Sequence, residues 1–257
     1  MGALLVIDGW PGALTIAGSD SWGGAGIQAD LRTFAAFGVW GTAAVTAVTA
    51  QNHRGVLSAH LTDPSLVEAQ IDAVAETGSV HAVKTGMLGD SSVIEVVASA
   101  LGRLDLGPLV VDPVQAASQG GRLLDPSALP VLIERLLPIC RVVTPNLPEA
   151  EALLGRRISG RDGMAEAAAA IAALGPEAVL LKGGHLAGSE SPDLLFDHGR
   201  SIWLEGQRVE AAHSHGTGCT LSAGIVAGLA NGKSLEEACR SAKAYVMHAL
   251  GALVKPE

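Results

Sequence analysis

Short apolar runs alternate with longer amphipathic runs along this chain. The first apolar run, ALTIAG at 13–18, predicts a buried strand because it is short and ends in glycine and polar residues. At 26–37, Ile27, Leu31, Phe34 and Phe37 recur near one face, which predicts a helix. Further strands are predicted at 41–50, 80–84, 109–112, 141–144 and 178–182. Further helices are predicted at 64–76, 91–101, 126–137, 147–154, 163–174, 217–230 and 235–250.

A second pattern near the carboxyl end predicts a small antiparallel meander, with short strands at 193–196, 201–204 and 208–211. Elsewhere strands and helices alternate, which predicts an α/β fold with a mostly parallel central sheet and helices on both faces. The sequence has no internal repeat, low-complexity linker or break in composition. We therefore expect a single domain over residues 1–257.

Polar or glycine residues directly follow six of the predicted strands. They are Gly18-Ser19-Asp20, Gln51-Asn52, Lys84-Thr85-Gly86, Asp112-Pro113, Pro145-Asn146 and Lys182-Gly183-Gly184. In open α/β sheets, ligands bind outside the carboxyl ends of the strands. Six strand ends that share this feature predict a ligand site along one edge of the sheet.

Composition narrows the kind of ligand. The 257 residues are 48% hydrophobic and 17% charged, which is typical of a globular protein, and the formal net charge is −9. This acidity argues against a nucleic-acid partner, which would need a basic stripe. A polyphosphate would have to be held locally, by backbone N–H groups, a few lysines and a metal ion.

Cysteine usage and hydropathy bear on the compartment. Three cysteines without CxxC spacing favour a reduced, cytoplasmic protein with no zinc site. Residues 1–8 contain no basic residue, so we expect no signal peptide. No uncharged apolar run is long enough to cross a bilayer, so no membrane partner is expected.

The most informative motif is HGTGCTLS at 215–222, just before a long apolar helix. Gly216, Thr217 and Gly218 would leave backbone N–H groups free to bind a phosphate at the helix N-terminus. Cys219 lies in the same turn, where a thiol pKa tends to fall. One interpretation is phosphoryl transfer with Cys219 as the base. The alternative is a helix start with glycines for tight packing and Cys219 as a core residue.

Three charged positions also leave alternatives open. Glu149 follows Asn146 and Pro148, and it either complements the helix dipole or holds Mg²⁺ through its waters, with Asp112 sharing that duty. Lys182 ends an apolar strand and either reaches solvent or meets an anion. Asp30 is expected to be solvated unless a ligand reaches it.

Taken together, the motifs resemble the bacterial hydroxymethylpyrimidine/phosphomethylpyrimidine kinases of thiamine synthesis, within the ribokinase-like superfamily. The matching stretches run in order over nearly the whole chain. They are ALTIAGSD (13–20), GGAGIQADLRTF (23–34), TAVTAQNHRGV (46–56), VKTGML (83–88), VVDPV (110–114), RVVTPNLPEAEALLG (141–155), LLKGGHL (180–186), SPDLLFD (191–197) and HGTGCTLSAG (215–224).

The resemblance implies a ribokinase-like three-layer αβα fold and ATP-dependent phosphorylation of 4-amino-5-hydroxymethyl-2-methylpyrimidine, then of its monophosphate. It implies that Gln51 recognises the pyrimidine and that Cys219 is the base. It places four further residues around the substrate, namely Gly18, Asp30, Met87 and Val114. It also implies that the segment from Asn146 to Glu149 organises Mg²⁺ and phosphates, and related enzymes suggest a homodimer.

This chain departs from the family at two places. Residues 115–120 read QAASQG where the family usually has a flap with a lysine, so Ser118 puts that phosphate contact and the second phosphorylation in question. Residues 20–24 read DSWGG where the family usually has Asp-Pro-Ser-Gly-Gly, and Trp22 either stacks on a ring or covers the pocket edge. Two alternatives therefore stay open: a pyridoxal or pyridoxine kinase, and a non-catalytic ligand-binding module on a degenerate kinase fold.

Overall fold

The computed structural model describes residues 9–117, 120–186, 188–209 and 215–253. Its strands are β1 (Gly12–Asp20), β2 (Trp40–Asn52), β3 (Gly55–Leu61), β4 (Ala82–Thr85), β5 (Leu109–Val111), β6 (Val142–Val143), β7 (Ala178–Leu181), β8 (Asp193–Asp197) and β9 (Arg200–Leu204). Its α-helices are α1 (Gly26–Ala36), α2 (Pro64–Ala75), α3 (Ser91–Arg103), α4 (Leu129–Arg135), α5 (Leu147–Leu154), α6 (Gly160–Ala172), α7 (Thr217–Ala230) and α8 (Leu235–Leu253).

The strands form one sheet in the order β3-β2-β1-β4-β5-β6-β7-β8-β9. The six strands from β2 to β7 in this order run parallel to one another, whereas β3, β8 and β9 pair antiparallel. This confirms the prediction of a mostly parallel sheet with a small antiparallel part. Because the parallel strands share one direction, their carboxyl ends meet at a single edge.

Helices cover both faces of the sheet, which makes three layers. On one face α2, α3, α5 and α6 bury apolar side chains such as Ile71, Ile94 and Met164 against the sheet. On the other face α1, α7 and α8 bury Phe34, Ile225 and other small or apolar residues. No helix in the described ranges combines the length and apolarity needed to cross a bilayer.

One strand of the structure was not predicted, and two predicted elements differ from the structure. The sequence gives no clear alternation at Gly55–Leu61, which nevertheless forms the edge strand β3 in a hairpin with β2 and is largely exposed. The single helix predicted at 126–137 is wrong: two 3₁₀ turns flank the short α4. Pro130 and Pro138 explain this break, because proline has no N–H to continue a helix.

The third meander strand, predicted at 208–211, is not formed by Arg208 and Val209, and residues 210–211 lie outside the described ranges. The Arg208 guanidinium instead donates hydrogen bonds to backbone carbonyls of the loop after β7, including those of Gly184 and Gly188. Satisfying these carbonyls ties the loop down beside the carboxyl edge of the sheet.

Candidate active site

A cavity of about 890 Å³ lies along the carboxyl edge of the sheet. All but one of the residues singled out from the sequence line it. They are Gly18, Gln51, Met87, Asp112, Val114, Asn146, Glu149, Lys182, Gly216, Thr217, Gly218 and Cys219. The fold therefore brings together residues from six strand ends and the start of α7.

The start of α7 is shaped by glycine. Gly216 has φ +81°, and a Cβ there would overlap the carbonyl oxygen of Gly24, so only glycine fits without displacing the backbone. A Cβ built on Gly218 would lie 3.5 Å from Nζ of Lys182 and 4.0 Å from Oδ2 of Asp112. The N-terminal turn of the helix, which favours anions, thus lies directly beside Lys182 and Asp112.

That cluster joins three of the predicted charged residues. Nζ of Lys182 lies 3.2 Å from Oδ1 of Asp112 and 3.8 Å from Oε2 of Glu149. Lys182 therefore meets anions and does not extend into bulk solvent. Burial disfavours its charged form, but the carboxylates of Asp112 and Glu149 outweigh burial and raise the pKa of Lys182.

Glu149 has the first of the two roles considered for it, at the N-terminus of a helix. Asn146 and Glu149 form a reciprocal capping box at the start of α5, with hydrogen bonds of 2.8 and 2.9 Å. Burial raises the pKa of Glu149 to about 7, against the opposing charge of Lys182. Among the described residues, no three His, Cys, Asp or Glu side chains are grouped to hold a metal by themselves. Asp112 and Glu149 both line the cavity at the carboxyl edge, together with the start of α7.

Asp30 differs most from its sequence-based expectation. The expected solvated carboxylate is wrong: its side chain is fully buried, and both carboxylate oxygens lie 2.8 Å from Nζ of Lys84. Thr15 donates a third hydrogen bond, of 2.6 Å. Lys84 lines the cavity, whereas Asp30 does not. Asp30 therefore contacts the residue beside the cavity and does not lie around the substrate site, where the family resemblance places it.

Lys84 was not among the predicted site residues, although the sequence carried a signal for it. Like Lys182, it ends a short apolar strand just before a glycine-containing turn. Burial works against its charge, but the carboxylate of Asp30 and the neighbouring Cys219 and Asp112 raise the pKa of Lys84. Lys84 is therefore a fixed cation beneath Cys219.

The expected fall in the thiol pKa is not found. Burial raises the pKa of Cys219 to about 11, and the charge of Lys84 only partly offsets this. Desolvation outweighs the helix N-terminus because the thiol is enclosed by protein while its edge faces the cavity. Without a ligand, the Cys219 side chain is a thiol at neutral pH.

The opposite part of the cavity holds Gln51 at the end of β2. Its side-chain amide contacts Nε2 of His215 at 3.1 Å, and the same Nε2 lies 3.0 Å from Oδ2 of Asp20. Neither His215 nor Asp20 was predicted as a site residue. They are 195 positions apart in sequence, so only the fold reveals their pairing.

The two departures from the family pattern lie near this part of the cavity. The Trp22 ring packs 6.0 Å from the ring of His215 and 5.7 Å from that of His53, and half of the side chain is exposed. Trp22 thus packs against His215, which lines the cavity. Gln115, Ala116 and Ala117 of the flap line the cavity, whereas Ser118 and Gln119 lie outside the described ranges.

Comparison with known proteins shows which family this chain belongs to. The family model described as phosphomethylpyrimidine kinase matches residues 20–256. A hydroxymethylpyrimidine/phosphomethylpyrimidine kinase from Rhizobium meliloti is 52% identical over 93% of this chain and 90% of its own length. This chain belongs to the phosphomethylpyrimidine kinase family.

Solved structures agree on the fold of this family member. A phosphomethylpyrimidine kinase from Clostridium difficile has a TM-score of 0.82 and 41% identity, covering 93% of this chain and 98% of that one. The pyridoxal kinase of Staphylococcus aureus, solved with AMP-PCP and pyridoxal, has a TM-score of 0.85 and 36% identity, covering 94% and 88%. The ribokinase-like fold is thus confirmed, and fold similarity alone does not separate the two kinase activities.

Proposed function

We propose that this chain uses ATP to phosphorylate the hydroxymethyl group of 4-amino-5-hydroxymethyl-2-methylpyrimidine, and then phosphorylates the monophosphate to the diphosphate. The observation that carries the proposal is the position of the α7 N-terminus. It carries Cys219 and lies beside the Lys182–Asp112 pair, in the same cavity as Gln51. Membership of the phosphomethylpyrimidine kinase family supports the same assignment.

The triphosphate of ATP would bind at the start of α7. Backbone N–H groups of Gly216, Thr217 and Gly218 would hold the transferring phosphoryl group, and Lys182 would balance its charge. Asn146 keeps Glu149 in place beside this site through the capping box. Positioning and charge neutralisation supply most of the catalysis in this type of reaction.

Asp112 and Glu149 would hold Mg²⁺, largely through its water molecules. Two carboxylates suit Mg²⁺, which keeps several waters and binds few protein groups. When bound, Mg²⁺ neutralises charge that develops on the phosphates.

Cys219 would accept the proton of the substrate hydroxyl as its oxygen attacks the γ-phosphorus. The new bond joins that oxygen to phosphorus, the bond to the ADP oxygen breaks, and the proton ends on Sγ. Lys84 and the α7 N-terminus would stabilise the thiolate that this step requires. Gln51 would hold the ring, with Gly18, Met87 and Val114 around it.

A pyridoxal kinase is the second candidate, because the Staphylococcus aureus pyridoxal kinase shares the fold closely. The two activities are separated by measuring kcat/KM for the aminopyrimidine and for pyridoxal with the same preparation. We expect the aminopyrimidine to be preferred, and a preference for pyridoxal would reverse the assignment. Absence of any ATP turnover would instead favour a non-catalytic module.

We further propose a homodimer, a single domain and a cytoplasmic location. Leu57 on β3 and Val48 on β2 are 75% and 60% exposed on the edge hairpin, and a second copy would cover them. Sedimentation of the native chain and of Leu57→Glu tests the dimer, which the variant should weaken.

Two observations support the other two proposals. The described strands all belong to one sheet, which supports one domain. Cys140, Cys219 and Cys239 are free, as in a reducing compartment.

A further inference from the structure

The imidazole of His215 is held between two polar partners at the wall of the cavity. Its side chain is 6% exposed, and Nε2 lies 3.0 Å from Oδ2 of Asp20 and 3.1 Å from the side-chain amide of Gln51. The Trp22 ring packs beside it. A single ring nitrogen thus contacts both a carboxylate and the amide of Gln51, which lines the cavity.

The surroundings decide where the imidazole carries its proton. The Asp20 carboxylate also accepts hydrogen bonds from the backbone N–H groups of Trp22 and Ala25, at 2.9 and 2.8 Å, so it acts only as an acceptor. Nδ1 of His215 is buried and has no hydrogen-bond partner in the described part of the chain. A proton on Nε2 is donated to Asp20, whereas a proton on Nδ1 would be left unsatisfied. His215 therefore carries its proton on Nε2.

This tautomer determines which end of the Gln51 amide faces His215. With Nε2 of Gln51 placed 3.1 Å from Nε2 of His215, two donors would face each other. Turning the amide by a half rotation about its Cγ–Cδ bond places the oxygen there instead, where it accepts from the imidazole. The same ring N–H is then shared between Oδ2 of Asp20 and the amide oxygen.

The contact at the other end of the Gln51 amide favours the same orientation. Oγ1 of Thr49 lies 3.4 Å from the Gln51 amide and donates its own proton to the carbonyl oxygen of Ser19 at 2.8 Å. Because that proton is committed, Oγ1 is an acceptor towards Gln51, and the amide nitrogen belongs on its side. His215 and Thr49 therefore favour one orientation of Gln51 independently.

We propose that Asp20 and His215 fix the Gln51 amide with its oxygen towards His215 and its nitrogen towards Thr49, so that His215 is a specificity-determining positioning residue. The inference rests on the proposed function and names how the ring is selected. The remaining lone pair and N–H of the amide form a bidentate edge. Its oxygen accepts from the exocyclic amine of the pyrimidine, and its N–H donates to the adjacent ring nitrogen.

A ring with a carbonyl in place of the amine presents the reverse order, an acceptor beside a ring N–H. The fixed amide would reject it, because two acceptors and two donors would then be opposed. An amide free to turn would accept both rings. Discrimination between the amine and its 4-oxo analogue is therefore the property that the Asp20–His215 pair controls.

The test measures Kd for the aminopyrimidine and for the 4-oxo analogue by calorimetry, and takes their ratio. Three full-length variants are compared with wild type. His215→Leu removes the donor, His215→Gln retains an amide N–H near the position of Nε2, and Thr49→Val removes the contact at the other end. We expect the ratio to fall at least about tenfold in His215→Leu, equivalent to 1.4 kcal/mol. We expect it to fall in Thr49→Val as well and to be largely retained in His215→Gln.

If His215→Leu or Thr49→Val weakened the binding of both ligands equally and left the Kd ratio unchanged, these residues would only pack against the cavity wall. That result would overturn the inference. Loss of the ratio in His215→Gln would also overturn it, since the donor is still present there. If the melting temperature shows that His215→Leu does not fold, the Kd ratio of Thr49→Val tests the same inference. Failure of the wild-type chain to bind the aminopyrimidine would instead refute the proposed function itself.

Discussion

Nζ of Lys84 lies 2.8 Å from both carboxylate oxygens of Asp30, and neither side chain has any exposed surface. The pair joins α1 to β4 directly beneath Cys219. Two opposite charges in such a place attract strongly, but each has lost its hydration. The pair itself therefore adds little net stability, but removal of one partner lowers the stability of the fold strongly, because it leaves the other charge buried and unpaired.

We predict that Asp30→Asn lowers the free energy of unfolding by about 3–5 kcal/mol, because it leaves Lys84 as an uncompensated buried charge. Urea unfolding measures this. The double variant Asp30→Leu with Lys84→Met should recover much of the stability without restoring turnover. Asp72→Asn is a matched control, since Asp72 pairs with Arg103 on the surface, and should cost no more than about 1 kcal/mol. An Asp30→Asn variant as stable as wild type would contradict this account of the pair.

Removing the thiol tests the assignment of the base. We predict that Cys219→Ala lowers kcat by about 10²–10⁴-fold, the usual contribution of a general base, while the Kd values of ATP and pyrimidine change little. Cys239→Ala in α8 is the matched control, because Cys239 is a buried core cysteine on the same side of the sheet and should leave kcat intact. A near-wild-type rate in Cys219→Ala would remove Cys219 from the mechanism.

The pH dependence of kcat follows from the raised thiol pKa. Because burial raises the pKa of Cys219 to about 11, the ionised fraction increases with pH throughout the neutral and mildly alkaline range. We predict that kcat rises with pH between about 7 and 9, by up to roughly tenfold per unit. In Cys219→Asp the carboxylate is already ionised there, so its profile should be flat. A flat wild-type profile would show that proton removal by the thiol does not limit the rate.

Gln51 is the residue assigned to the pyrimidine ring. We predict that Gln51→Ala raises the KM for the pyrimidine at least about tenfold, because both hydrogen bonds of its amide edge are lost, and leaves the KM for ATP unchanged. Gln70→Ala is a suitable control: Gln70 also hydrogen-bonds β2, at Val45, but lies on α2 outside the cavity lining. An unchanged pyrimidine KM in Gln51→Ala would move the ring site elsewhere.

Much of the fold and the site could be predicted from local patterns in the sequence. Gln51 lies at the end of β2, and Asp112, Asn146 and Lys182 follow their strands within three residues, so a parallel sheet brings all four to one edge. The edge strand β3 was missed because an exposed strand has little apolar alternation to detect. The interruption of the helix predicted at 126–137 was missed, although Pro130 and Pro138 indicate it in the sequence.

The partnerships within the site could not be predicted in this way. Asp30 meets Lys84 across 54 positions, and His215 meets Asp20 across 195. Whether Asp30 is solvated or buried, and whether the Cys219 thiol pKa falls or rises, depends on how much protein surrounds each group after folding. Local sequence carries no measure of that enclosure, whereas the assembled cavity does.

The most direct test of the central claim is ATP consumption with mass spectrometry of the products, using the purified chain with Mg²⁺ and hydroxymethylpyrimidine, and pyridoxal in parallel. The account predicts conversion of the pyrimidine through the monophosphate to the diphosphate. A monophosphate alone would place a defect in the flap at residues 115–120. Turnover of pyridoxal but not of the pyrimidine would contradict the account.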